Sequence, residues 1–226
     1  MNWAYVSGRV GGVKLDAGRL NFKPHTGNVL DAEVDGAKLS YGDNVKVTGY
    51  VGKADGGDFT YFSDDRLYIA DVSAKIGVVD AYATYYNVDN ILKQEIWNLG
   101  VAVPVVKDLK LTAEYMNGDA DNVDGDNSGY VAGLAYKGAK ASTPGSWGIY
   151  ANYYDMPALT FLANTNDGYN GFMNDSKVYD GFEGYEVGAN VALAKNIVAA
   201  VKYFDLEARE GDADEQAIWS EVVFTF

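Results

Sequence analysis

Apolar and polar residues alternate along most of the chain with the two-residue period of β-strands whose two faces meet different surroundings. Over residues 217–226, Ile218, Val222, Phe224 and Phe226 share one face, interrupted by Ser220, while Trp219, Glu221 and Thr225 share the other. Tyr68, Ala70, Val72, Ala74 and Ile76 likewise alternate with Asp71, Ser73 and Lys75. Roughly thirteen such segments follow one another, each near the ~9–11 residues that cross a bilayer as a tilted strand. The pattern predicts an all-β, antiparallel fold. The first segment, from Trp3 to Val10, is ambiguous about its faces.

The connections alternate as well. Tight turns fall at Gly11, Gly42, Gly77, Pro104, Ala141 and Ala194, and longer stretches fall between them at 23–33, 55–65, 118–127, 155–181 and 207–215. Short turns on one side and loops on the other are the pattern of a transmembrane barrel. The apolar face is aliphatic in mid-strand and aromatic at the ends: Tyr130 and Tyr136 bracket one strand, Trp147 and Tyr153 another. Two interfacial aromatic girdles predict that taper. A soluble sandwich also buries one face and wets the other. The tapered aromatics and the apolar C-terminal strand favour the membrane.

Composition narrows the choice. Tyr (18) and Gly (26) are abundant while Pro (4) is scarce, which suits strands joined by tight turns. Mean hydropathy is -0.18, and no run approaches the ~18–20 apolar residues of a membrane helix. A formal net charge of -14 argues against nucleic acid as a partner, because phosphate contacts need basic clusters. Cysteine is absent, which excludes disulfides and thiolate metal sites. No signal peptide precedes the first strand-like segment, so the expectation is either a cytoplasmic protein or a chain lacking its true N-terminus.

Catalytic chemistry is missing. His25 follows Pro24 in a loop with no Gly-x-Ser-x-Gly or paired-acid context, and is expected to be an ordinary loop residue in a protein that is not an enzyme. The run from Asp119 through Asp121, Asp124 and Asp126 fails the calcium-loop register and lacks its terminal Glu, so no metal site and no cofactor is expected. The glycine pairs at 11–12 and 56–57 are turns, since no helix follows to cradle a phosphate.

The final strand, closing Val222-Val-Phe-Thr-Phe226, resembles the C-terminal assembly signal of Gram-negative outer-membrane barrels. The segment from Gly18-Arg19 to Phe22 and Lys23, with the later Val34-Asp35-Gly36-Ala37-Lys38, resembles general porins around their third external loop. The wording is most similar to porins that carry an N-terminal S-layer-homology domain, although no residues here match that domain. The resemblance implies an outer-membrane barrel over residues 1–226, with Val222, Phe224 and Phe226 as assembly signal. It also implies outer-membrane lipid, lipopolysaccharide and the barrel assembly machinery as partners, and a homotrimer as a possible assembly. Such porins have about sixteen strands. Counting back from Phe226 puts the first strand out of phase, so a chain missing its first three strands is expected. The alternative is a miscounted strand in a complete smaller barrel.

So wide a barrel holds water and passes small hydrophilic solutes by diffusion. The polar face offers Lys38, Lys46, Lys75, Lys110 and Lys137 near the short turns and Lys202 deeper, with Asp71, Glu114 and Glu186 on the same face. Acids crowd the other end, among them Asp55, Asp58, Asp64, Asp65, Asp119, Asp121, Asp212 and Asp214. An acidic mouth and a basic inner rim are one reading; solvated loops and locally paired lysines are the other. By the porin resemblance, a third loop folds inward to oppose acids to arginines. Arg19 is then the constriction candidate, with Asp31, Glu33 and Asp35 as its counterparts. Arg19 has the parity of the lipid face, so a bulge near Gly18 is required to turn it inward. The longest connection carries Pro157, Leu159, Phe161, Leu162, Phe172 and Met173, too apolar for free solvent, and is expected either in the lumen or over a neighbouring subunit. The rival to the porin is a soluble carbohydrate-binding or adhesin-like β-domain, whose aromatics would cluster on one side rather than form two bands. A third reading is a structural tether anchored outside this chain.

Overall fold

The computed structural model describes residues 3–54, 66–89, 93–121, 123–162, 181–209 and 212–225. It contains thirteen strands: β1 (Ala4–Val10), β2 (Val13–Phe22), β3 (Ala32–Tyr41), β4 (Val45–Ala54), β5 (Arg66–Ile76), β6 (Val79–Asp89), β7 (Glu95–Val106), β8 (Leu109–Asp119), β9 (Ser128–Lys137), β10 (Trp147–Met156), β11 (Phe182–Ala194), β12 (Ile197–Ala208) and β13 (Asp214–Phe224). They form one sheet in sequence order, antiparallel in each pairing whose register is resolved. The only described helical element is a single 3-10 turn, Ala158–Thr160. Among the described residues no helix is long and apolar enough to cross a membrane.

The strand count and the alternation of short and long connections match the hydropathy pattern. Tight turns at Gly11–Gly12 and Gly77 have positive φ (56°, 86° and 64°), which glycine adopts without steric cost. Asp108 and Asn196 take the same left-handed region at two further turns, with φ 64° and 65°. Asx residues tolerate it better than most.

The chain resolves into two compact units, each with an inner and an outer face. The first comprises residues 1–101, 115–128 and 159–165. Its inner face buries Leu20, Phe22, Tyr50, Leu67, Ile69, Tyr86, Val88, Ile96 and Met116. Its outer face, one residue out of step, exposes Val47, Val51, Tyr68, Val72, Trp97 and Leu99. The second comprises residues 102–114, 129–158 and 166–226. There Tyr154, Met156, Phe182, Phe204 and Leu206 are buried inside, while Leu134, Ile149, Val187 and Val201 are exposed outside.

Aromatic rings on the outer faces lie near the strand ends. In the first unit Tyr68, Tyr115 and the contacting pair Tyr85 and Trp97 mark the loop end, and Tyr41 the turn end. In the second, Tyr130 with Tyr153 and Tyr185 with Tyr203 mark the loop end, while Tyr136, Trp147 and Phe224 mark the turn end. Val222 and Phe224 stand on the outer face of β13, opposite Ala199 and Ile197. Phe226 lies outside the described residues.

Candidate functional site

The inner face of the first unit is roofed by the connection between β2 and β3. Pro24 O accepts a hydrogen bond from Gly27 N (3.0 Å), and Lys23 pairs with Asp31 (3.1 Å) across the neck of the loop. Val29 and Leu30 then turn down onto the sheet, 1% and 0% exposed. Burying two aliphatic side chains contributes about 1.5–3 kcal/mol each, which offsets part of the conformational entropy lost in ordering the loop. Residues 159–162 lie beside it: Leu162 N donates to Val29 O (2.8 Å), and Gln94 Nε2 donates to the carbonyls of Leu159 (3.2 Å) and Phe161 (3.4 Å). Of the two places open to the longest connection, this described part takes the inner face.

The loop ends in a polar contact that joins three elements. Its backbone at His25 has φ 54°, which swings the imidazole over β5 and β6. Nε2 reaches Asp71 Oδ2 at 2.6 Å, and the ring stacks on Tyr82 with centroids 3.6 Å apart and an 8° angle between planes. Thr84 Oγ1 donates to the same Asp71 oxygen (2.9 Å), fixing the carboxylate from the neighbouring strand. The Tyr82 ring lies flat because Gly100 leaves it room; a Cβ on Gly100 would sit 2.1 Å from the ring. Tyr50 uses Gly52 the same way, with its hydroxyl 2.1 Å from where a Cβ would be. His25 is therefore docked against β5 and β6 rather than being an ordinary loop residue. The signal in the sequence was the apolar pair Val29-Leu30 in an otherwise polar connection.

Three of the four proposed constriction residues lie elsewhere. Arg19 pairs in plain register with Asp35 and no bulge intervenes between β2 and β3, so Arg19, Glu33 and Asp35 stay on the outer face. There Arg19 Nε and Nη2 donate to both Asp35 oxygens, at 2.9 and 2.8 Å. A bidentate pair satisfies both groups in place and removes any drive to turn inward. Asp31, the fourth, closes the loop neck with Lys23.

The predicted lining residues divide differently. Lys38, Lys46, Asp71, Lys75, Lys110, Glu114, Glu186 and Lys202 all fall on the inner parity. Lys38 shares Asp16 with Lys14, at 3.3 and 3.0 Å, so part of the basic rim is neutralised locally. Lys137 departs from the prediction. It takes φ 60° at the end of β9, and its ammonium lies over the outer-face rings of Tyr136 (5.2 Å) and Trp147 (4.6 Å). The left-handed residue at the strand end breaks the pleat that parity counting assumes.

In the second unit the inner face centres on Glu186, 7% exposed. Its carboxylate accepts from the hydroxyls of Tyr150 and Tyr154, both at 2.5 Å, and from Asn152 Nδ2 at 3.2 Å. Gly188 makes room for Tyr150, since its Cβ would meet that ring at 2.3 Å. A carboxylate held by three donors is fixed in position on the inner face.

No protein-family model and no curated protein sequence matches the chain. Solved structures do. The chain is similar to Pseudomonas aeruginosa OccK11 (OpdR), with 14% identity over 96% of this chain and 68% of that one, at a TM-score of 0.66. OccK8 (OprE) of the same organism gives 11% identity, 97% and 70% coverage, and a TM-score of 0.64. OccK2 (OpdF), solved in complex with glucuronate, gives 14% identity, 98% and 70% coverage, and a TM-score of 0.59. The fold is that of these outer-membrane porins.

Proposed function

We propose that this chain forms the wall of a water-filled channel in the outer membrane of a Gram-negative bacterium, through which small hydrophilic solutes and ions diffuse passively. The observation that carries it is the contrast between the faces. The outer faces are apolar between aromatic rings near both strand ends, as a bilayer requires, and the Arg19–Asp35 pair lies on the loop-end side of Tyr68. The inner faces carry the lysines, the anchored acids and an inward-folded loop, which suit a wet lumen narrowed at one level. A soluble carbohydrate-binding domain would gather its aromatics on one side, and the two bands favour the porin. The partners on this reading are outer-membrane lipid, lipopolysaccharide and the assembly machinery that reads the strand bearing Val222 and Phe224. The likeness to porins with an S-layer-homology domain rests on sequence wording alone, and peptidoglycan tethering would need residues outside this chain.

Reconstitution into planar bilayers tests the proposal. Stepwise conductance with a linear current–voltage relation is expected; protein that stays monodisperse without detergent and gives no steps defeats it. The lumen assignment of Glu186 has its own measurement. Glu186→Gln keeps the hydroxyl and amide partners but removes the charge, so the reversal potential in a salt gradient is expected to shift toward anions. An unchanged reversal potential removes Glu186 from the conducting path.

A further inference from the structure

The outer face of the second unit is not evenly filled. Leu134, Ile149, Val187 and Val201 surround a shallow groove of about 540 Å³ whose floor is made by Ala151 and Ala189. The register explains the hollow: Ala189 lies between Ile149 and Val201, and Ala151 between Leu134 and Val187, so each alanine sits lower than its cross-strand neighbours. The groove crosses five strands, from Leu109 on β8 to Val201 and Tyr203 on β12, which at ~4.8 Å per gap spans about 19 Å around the sheet. Tyr136, opposite Ile149, closes it toward the turn end.

Immediately beyond Tyr136 stands Lys137. Its left-handed backbone carries the side chain off the inner parity and over the Tyr136 and Trp147 rings, which meet edge to face at 6.0 Å. Among the described residues no carboxylate pairs with this ammonium. A cation on aromatic faces at the end of an apolar groove, in a chain of net charge -14, is complementary to a single anionic group attached to an apolar tail.

We infer that the groove is a phospholipid site, with the acyl chain along Ala151 and Ala189 and the anionic phosphate on Lys137. The inference rests on the membrane-channel reading and adds to it a ligand and a place. The site lies at the short-turn end, which in transmembrane barrels faces the periplasm. The occupant is therefore a phospholipid of the inner leaflet rather than lipopolysaccharide. A second copy of the chain would offer a broad surface instead of one narrow tail, and would leave Lys137 without a defined anion.

The test is native mass spectrometry of the full chain released from micelles containing phosphatidylglycerol or phosphatidylcholine. Wild type is expected to retain phosphatidylglycerol in preference. Lys137→Gln should lose most of that preference, with Lys137→Arg restoring it, while Ala189→Phe, which fills the groove, should lower retention of both lipids. Equal retention by wild type, Lys137→Gln and Ala189→Phe overturns the inference, as does disulfide cross-linking of Ala189→Cys that yields dimers or trimers. Conductance is read in parallel. Its absence in every variant counts against the channel reading, whereas normal conductance with unselective lipid retention counts only against the lipid site.

Discussion

Val72→Arg is expected to deplete folded, membrane-inserted protein, whereas Ser73→Arg, one residue along, leaves assembly intact. Val72 stands on the outer face of β5, midway between Tyr68 at the loop end and Ile76 at the turn end, and opposite Val47 and Ala83. An arginine facing lipid near the bilayer midplane costs about 2–4 kcal/mol. That is roughly a 30- to 1,000-fold change in a folding equilibrium. Ser73 points the other way, where it faces Lys46 and Tyr82 across the strands and an arginine can reach water. Heat-modifiable mobility after refolding into lipid vesicles measures both. Equal tolerance of the two substitutions would show that the outer face does not meet hydrocarbon.

The second large effect concerns the inward loop. The double variant His25→Ala/Leu30→Asp is expected to raise unitary conductance by roughly two-fold or more, with added current noise, because the narrowing element leaves the inner face. His25 alone contributes a charge-assisted contact to Asp71 of about 1.5–3 kcal/mol when protonated, and a ring stack of about 0.5–1.5 kcal/mol. Val29 and Leu30 would still hold the loop, so His25→Ala by itself should give flickering rather than full opening. Gly100→Val reaches the same contact from behind, by displacing the Tyr82 ring, and should reproduce the flicker without touching the loop. Conductance unchanged in the double variant would mean that the loop does not narrow the path.

Much of this architecture was legible in the chain. Alternation marked the strands because the pleat sends successive side chains to opposite faces, a rule that needs no tertiary information. The same rule placed Lys38, Asp71, Glu114, Glu186 and Lys202 on the inner parity and Val222 and Phe224 on the outer one. It failed where the backbone left the pleat: Lys137, in the left-handed region at a strand end, turns to the outer aromatics instead of the inner face. For Arg19 the parity was right and the supposition of a bulge was wrong. The register of β2 against β3 delivers Asp35 directly opposite, and the pair satisfies itself on the outside.

His25 marks the limit. Its partner Asp71 is 46 residues away, and their meeting depends on where Val29 and Leu30 find a surface to bury against. Strand faces, turn positions and the sidedness of the aromatics are local properties, written two residues at a time. Which loop packs on the inner face, which acid anchors it and which glycine makes room depend on contacts between distant strands, so the tertiary structure alone decided them.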